Sequence, residues 1–257
     1  MNKNITSKNI TNTKIKASEW KPLNFYNVIK EQNPELVEIQ MPNPNYDFHK
    51  ISIPFRMSIC GSSSSMKTVT VVNLLHIMPD TFQRIIIVCR VPDQALYKYL
   101  QAHLKGIEIL VGIENCPDID TDFNKNESSL VIFDDIALDK GQDMVDNYAI
   151  RSRHMNVSFM YLTQHWVSQS TILRNNLSHI ILKHIPKTMD LNRIYKSCDA
   201  IDLPLDKFKK VYQYATKSDD EDDPDDKTNF LLIDLFTKNK NNMYRKNIYP
   251  INVAGVP

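Results

Sequence analysis

The sequence predicts an α/β protein with a mostly parallel sheet and helices on both of its faces. Short, continuously apolar runs recur along the chain, and RIIIVC (84–89) is the clearest; such runs are typical of strands buried on both faces. They alternate with segments of helical spacing, which is the pattern of βαβ units. The 257 residues, of which 42% are hydrophobic and 24% charged, suit one folded domain with flexible additions.

The N-terminal 50 residues differ from the rest of the chain. Residues 1–17 repeat Lys-Asn-Ile-Thr and lack periodic apolar residues, so we expect a disordered arm. Residues 18–50 mix prolines with aromatic residues and are predicted to wrap the core. The folded domain is expected to cover residues 51–257.

From residue 51 the pattern becomes an alternation of strands and helices. Strands are predicted over 55–60, 84–89, 107–113, 130–135, 157–164, 179–185 and 229–236, and helices over 67–78, 92–104, 139–152, 188–197 and 204–216. In the second helix the apolar residues at helical spacing are Leu96, Tyr99, Leu100 and Leu104. After residue 236 we expect a polar turn and a tail.

Charge is unevenly distributed. Seven acidic residues lie within Asp219–Asp226, and without them the net charge of +1 becomes +8. We expect a disordered, solvated loop over 218–227 and a mildly basic body, which is compatible with phosphate-bearing partners.

Cysteine usage and hydropathy argue against a zinc site, a secretory signal and a membrane span. The four cysteines, Cys60, Cys89, Cys116 and Cys198, stand singly without zinc-ligand spacing, and we expect reduced thiols in the core. The first 25 residues contain no apolar segment of a secretory signal. No apolar run approaches 18 residues, so we expect no membrane span.

GSSSSMKT (61–68) resembles a phosphate-binding loop and lies between a predicted strand and a predicted helix. Lys67 would reach the β- and γ-phosphates, and the Thr68 hydroxyl would bind Mg²⁺. The alternative is a serine-rich turn with a solvent-facing lysine. The expected nucleotide contacts are Gly61, Ser62, Ser63, Ser64, Ser65, Met66, Lys67 and Thr68.

Two further strands end in polar side chains that suit the same site. LVIFDD ends in Asp134, expected to orient Mg²⁺ through water, and in Asp135, expected to act as general base. VSFMYLTQ ends in Gln164, whose amide could contact the γ-phosphate or the attacking water. Taken singly, the aspartate could cap the next helix and Gln164 could simply face solvent. Because both follow the phosphate loop in this order along the chain, a nucleotide site is favoured.

GSSSSMKT, LVIFDD, RSRHMNVSFMYLTQHW and ILRNNLSHIIL together resemble the poxvirus-type genome-packaging ATPases of large DNA viruses, virophages and polinton-like elements. These belong to the FtsK–HerA branch of P-loop ATPases, and the resemblance covers roughly residues 50–236. It implies a RecA-like P-loop core, ATP and Mg²⁺ as cofactors, and a homo-oligomeric ring. It also implies double-stranded DNA and a capsid or portal-site protein as partners. The implied location is the host cytoplasm, in the viral factory, or the virion.

In such rings an arginine of one subunit reaches the γ-phosphate of its neighbour. By this resemblance Arg153 is the expected catalytic finger, with Arg151 and Arg174 as the next choices.

Met66 departs from the family pattern, which has glycine at this position. If its backbone is helical, methionine is tolerated; if it is not, strain of about 1–3 kcal/mol follows and nucleotide binding weakens or fails. The expected function is an ATP-driven motor that moves double-stranded viral DNA into a capsid. The alternative is a hydrolysis-deficient scaffold that binds DNA or capsid. A small nucleotide kinase would need an arginine-rich lid, and a helicase would share the same core.

Overall fold

The structure is a computed structural model, and it describes residues 25–33, 41–198, 201–223 and 226–256. The chain divides into two units, Met1–Gln40 and Met41–Pro257. The described part of the first unit forms helix α1 (Phe25–Gln32). The predicted arm, residues 18–24 and 34–40 of the predicted wrapping segment, and residues 224–225 of the acidic loop lie outside the described residues.

The second unit contains the predicted alternation of strands and helices. Its elements are, in order, α2 (Tyr46–His49), β1 (Arg56–Cys60), α3 (Lys67–Ile77), β2 (Arg84–Cys89), α4 (Ala95–His103), β3 (Ile107–Val111), β4 (Ser129–Asp134), α5 (Gln142–Arg151), β5 (Val157–Thr163), α6 (Thr171–Asn176), β6 (His179–Leu182), α7 (Thr188–Lys196), α8 (Leu205–Thr216), β7 (Leu231–Asp234), β8 (Tyr244–Lys246) and β9 (Tyr249–Pro250).

The strands of the described chain form one sheet in the order β3-β2-β4-β5-β1-β6-β7-β8-β9. The pairings from β3 to β6 are all parallel, which confirms the predicted mostly parallel sheet. The pairings β6–β7, β7–β8 and β8–β9 are antiparallel. Parallel strands joined by helices place their carboxyl ends at one edge, where α/β proteins build their sites.

Strand β7 runs in the opposite direction because two helices, not one, connect it to β6. Helices α7 and α8 pack against each other and return the chain to the edge where β6 ends. Tyr212, near the end of α8, donates a hydrogen bond from its hydroxyl to the Lys183 carbonyl just after β6, at 3.0 Å. The chain therefore enters β7 at the edge it has just left.

Strands β8 and β9 occupy the segment that we expected to be a tail. They are only three and two residues long, so they carry no detectable alternation. Arg245 of β8 is almost fully buried, and its guanidinium pairs with Asp234 at 2.8 Å. It also donates to the backbone carbonyl of His49 at 2.9 Å. These contacts of Arg245 with Asp234 and His49 hold β8 in place, although its sequence is largely polar.

Apolar residues pack on both faces of the sheet. Neighbouring residues of β4 show this directly, since Ile132 belongs to the core under α3 and α4 while Phe133 belongs to the core that holds Tyr148 of α5 and Phe208 of α8. The prediction of helices on both faces is confirmed. All four cysteines are buried, as predicted.

Residues 41–50 and the acidic segment both contact other parts of the second unit. The Asn45 amide donates to the Ile77 carbonyl at 3.1 Å. Asp219 pairs with Lys246 at 2.5 Å and accepts a hydrogen bond from Asn229. The predicted domain boundaries and the disorder of the acidic loop stay predictions. Within the described residues, no helix has the length and apolar character that a membrane span requires.

Candidate functional site

The loop from β1 to α3 is anchored between two strands. The Gly61 N–H donates to the Thr163 carbonyl at 3.1 Å, and the Ser62 N–H donates to the His184 carbonyl at 3.0 Å. A Cβ at position 61 would lie 2.5 Å from the Lys183 Cβ and 2.6 Å from the Ser65 Oγ. Only glycine fits at this start of the loop.

The loop leads into helix α3, which begins at Lys67 and has 11 residues. The first N–H groups of any α-helix have no partner within the helix, and the helix dipole adds partial positive charge there. The position of GSSSSMKT before this helix is therefore that of a phosphate-binding loop.

The backbone of Met66 is not helical. Its φ of 62° and ψ of 37° lie in the left-handed region, so methionine holds the conformation that glycine would take most easily. Ser64 of the same loop also has a positive φ, of 58°. The Met66 side chain is 43% exposed. A left-handed non-glycine residue costs about 1–2 kcal/mol, so the loop keeps its shape at the expense of strain.

The Lys67 ammonium lies beneath the loop. Its Nζ donates to the Gly61 carbonyl at 3.0 Å and to the Ser62 carbonyl at 2.9 Å. Burial lowers the pKa of Lys67, and the nearby Asp134 carboxylate opposes that shift. Since its hydrogen-bond partners carry no formal charge, an anion that entered the loop would be a better partner.

Asp134, at the end of β4, is 7% exposed and faces the start of α3. Its Oδ2 accepts one hydrogen bond from the Thr68 hydroxyl at 3.1 Å and another from the Tyr97 hydroxyl. Burial raises the pKa of Asp134, whereas these two hydrogen bonds and the Lys67 charge lower it. The next residue, Asp135, is exposed and has a φ of 57°.

The Thr68 hydroxyl and the Asp134 carboxylate fit a magnesium site. Both are hard oxygen donors, and they lie 3.1 Å apart, so an ion bound by Thr68 would have the Asp134 carboxylate beside it, as the predicted contact through water requires. The described residues contain no group of three or more His, Cys, Asp or Glu side chains that could hold a metal ion. Mg²⁺ usually takes one or two carboxylates together with water and phosphate oxygens, and Asp134 offers one such carboxylate beside the phosphate loop.

Gln164 completes the polar lining. It follows β5, which lies between β1 and β4 in the sheet, and its side chain is exposed. The Thr163 hydroxyl holds the turn by accepting the His165 N–H at 3.2 Å. The structure brings most of the predicted residues together around one cavity of about 540 Å³, but the predicted contacts Gly61 and Ser62 are not among its lining residues. The cavity is lined by Ser63, Ser64, Ser65, Met66, Lys67, Thr68, Asp134, Asp135 and Gln164 together with Gln94, Leu96, Leu138 and His165.

Arg153 lies elsewhere. It belongs to the 3₁₀ turn Ser152–Met155, just before the start of β5. Burial lowers the pKa of Arg56 at the start of β1, and the nearby Arg153 charge lowers it further. The seven residues of β5 separate Arg153 from the cavity by about 23 Å, at roughly 3.3 Å per residue. Arg151 pairs with Asp120, and Arg174 donates to the Gln169 carbonyl at 2.8 Å. None of the three arginines lines the cavity of its own chain.

Tyr97 is the site residue that the sequence interpretation missed. We expected Tyr99 on the buried face of this helix, but Tyr99 is 52% exposed and Tyr97 is 1% exposed. The buried face runs through Tyr97, Leu100 and Leu104, a spacing of three and four residues that is equally helical. No signal in the sequence linked Tyr97 to Asp134, because 37 residues separate them.

Comparison with solved structures supports this fold. The genome-packaging NTPase B204 from Sulfolobus turreted icosahedral virus 2, solved with sulfate, matches with 14% identity and a TM-score of 0.51, covering 72% of this chain and 94% of that one. The same NTPase solved with AMPPCP matches with 15% identity and a TM-score of 0.49, over 71% and 93%. At such identities the first likeness establishes a shared P-loop ATPase fold. Comparison with curated proteins gives no match.

Residues 45–202 match the protein family described as Poxvirus A32 protein. The match includes the phosphate loop, Asp134, Asp135 and Gln164, and it confirms the resemblance to the poxvirus-type packaging ATPases. Since it covers more than half of the sequence, the chain belongs to the poxvirus A32 family.

Proposed function

We propose that this chain is an ATPase that drives double-stranded viral DNA into a capsid. One observation carries the proposal: Lys67 and Thr68 at the start of α3, Asp134 and Asp135 after β4, and Gln164 after β5 line a single cavity. Membership of the poxvirus A32 family supports the packaging role. It also favours the motor over the hydrolysis-deficient scaffold.

Binding begins at the loop. The N–H groups at the start of α3 and the Lys67 ammonium would receive the phosphates, with Lys67 exchanging the Gly61 and Ser62 carbonyls for phosphate oxygens. Thr68 and Asp134 would hold Mg²⁺. When bound, Mg·ATP supplies the reactive phosphoanhydride and the cation that neutralises its charge.

Hydrolysis needs a water molecule in line with the γ-phosphate. Asp135 is exposed at the cavity and would accept a proton from that water at its carboxylate. Gln164, just after the neighbouring strand β5, would orient the same water through its amide. Asp134 is buried and already bonded to Thr68 and Tyr97, so it is the less suitable base.

Coupling to DNA requires assembly. Because Arg153 lies at the sheet edge opposite the cavity, it would serve the site of an adjacent subunit in a homo-oligomeric ring. The ring would act in the cytoplasm of the infected cell together with a capsid or portal-site protein.

The test is ATP hydrolysis with and without double-stranded DNA. We expect DNA-stimulated turnover in the wild type. Lys67→Ala should lose ATP binding, and Asp135→Asn should bind ATP without hydrolysing it, because the first removes charge at the phosphates and the second removes the base. Equal hydrolysis by all three proteins would contradict the site, and a wild type that binds DNA without turnover would indicate the scaffold.

A further inference from the structure

Tyr97 makes a contact to which the scheme above gives no part in metal binding. We propose that Tyr97 is a positioning residue that holds the Asp134 carboxylate in its metal-binding orientation; this rests on the proposed function of the cavity. The Tyr97 hydroxyl donates to Asp134 Oδ2 at 2.5 Å. Tyr97 itself does not line the cavity, so it acts through Asp134.

The position of the Tyr97 oxygen is set by packing. The ring is 1% exposed and belongs to the core between α4, α3 and the sheet, with Leu100 of its own helix and Ile87 and Ile132 of the strands. A ring confined on all sides has little freedom to move its hydroxyl. The hydroxyl that donates to Asp134 is therefore held by a rigid ring. In metal sites, the groups that orient the metal ligands need such fixed positions.

Two elements act on the same carboxylate oxygen. Oδ2 of Asp134 accepts from Tyr97 of α4 and from Thr68 of α3, which approach it from different parts of the chain. Two donors from two helices define the rotation of the carboxylate, whereas Thr68 alone would leave it free to turn about that single hydrogen bond. Since Thr68 is also an expected metal ligand, Tyr97 is the donor that serves orientation alone.

A plainer explanation is that Tyr97 only fills the core and satisfies its own hydroxyl on the nearest acceptor. The two explanations differ in what happens when the oxygen is removed and the ring is kept. A core role predicts a change in stability with no specific effect on magnesium. A positioning role predicts a weaker response to magnesium, with nucleotide binding in the absence of the metal unchanged.

The experiment compares Tyr97→Phe with the wild type and with Tyr99→Phe, a matched control on the exposed face of the same helix. Binding of a fluorescent ATP analogue is titrated at increasing Mg²⁺ and, separately, in EDTA. We expect Tyr97→Phe to raise the half-saturating Mg²⁺ concentration by about 10- to 100-fold, the usual effect of losing a group that orients a metal ligand. Binding in EDTA should not change, and Tyr99→Phe should stay within about twofold of wild type.

A double-mutant cycle with Asp134→Asn tests whether Tyr97 acts through Asp134. In the Asp134→Asn background, Tyr97→Phe should have no further effect on the Mg²⁺ dependence. Additive effects, or a shift below about twofold in a folded Tyr97→Phe protein, would overturn the proposal. A wild type that binds no analogue even with Mg²⁺ would instead contradict the proposed function, so the two failures are distinguishable.

If Tyr97→Phe does not fold, a second measurement is fluorine NMR of the wild-type sequence with 3-fluorotyrosine introduced only at position 97 by amber suppression, which gives a single resonance that needs no assignment. The Tyr97 resonance should shift when Mg²⁺ is added to the nucleotide complex. The same shift should be absent from Asp134→Asn. A resonance that ignores Mg²⁺ in the wild type would overturn the positioning role.

Discussion

The left-handed backbone of Met66 gives a prediction about the sign of a stability change. At an ordinary exposed helix position, glycine is about 1 kcal/mol less favourable than alanine. At a left-handed position the order reverses, because a residue with a Cβ costs about 1–2 kcal/mol there, whereas glycine does not. The extra freedom of glycine in the unfolded chain offsets about 0.4–1 kcal/mol of this. Met66→Gly should therefore be more stable than Met66→Ala by about 1 kcal/mol.

The comparison between glycine and alanine removes the contribution of the methionine side chain, since both variants lack it. Gln213, exposed within α8, is the matched control, and there Gln213→Gly should be less stable than Gln213→Ala by about 1 kcal/mol. Urea denaturation at 25 °C measures all four free energies of unfolding. If Met66→Gly is less stable than Met66→Ala, as at the control position, then position 66 is not left-handed and the strain argument is wrong.

Three further predictions concern charge and assembly. Replacing the acidic residues of 220–223 by Asn and Gln should strengthen binding to double-stranded DNA, more at low salt than at high salt, because their repulsion of phosphate is screened; unchanged affinity by fluorescence anisotropy would contradict this. Arg153→Ala should bind ATP and assemble but lose about 10³–10⁵-fold in hydrolysis rate, and mixing it with Lys67→Ala subunits should restore part of that rate. A mixture that stays inactive while mixed rings form would exclude a role in trans. Burial lowers the pKa of both His49 and His179 to about 4. Between about pH 6.5 and pH 4 the unfolded chain therefore binds protons at these two side chains, whereas the folded chain does not. The free energy of unfolding should fall as the pH decreases through this range. Replacing both histidines by glutamine should flatten that fall in urea titrations, and an unaltered slope would refute their part in it.

The sequence was sufficient for the parts of the site that are contiguous. GSSSSMKT is a run of eight neighbours between an apolar strand and a helix, so covalent connection alone places Lys67 and Thr68 at the start of α3. The strands that carry Asp134 and Gln164 were predicted to within one or two residues, because runs buried on both faces are continuously apolar and end abruptly at polar residues.

The later strands were less accessible. β8 and β9 are too short for a periodic signal. Arg245 of β8 is buried, but a charged residue type indicates an exposed position. The direction of β7 depends on how α7 and α8 pack, which local sequence does not specify.

What the sequence determined by itself was the list of chemical groups and their order along the chain. What the tertiary structure decided was their distances: the 3.1 Å between Thr68 and Asp134, the hydrogen bond from Tyr97, and the placement of Arg153 at the far edge of the sheet. It also decided the left-handed φ of Met66. Methionine disfavours a positive φ, but both ends of the loop are fixed and the backbone between them has to adopt it. Local preferences act over a few residues, whereas these distances arise from strand pairing and helix packing between segments up to 66 residues apart.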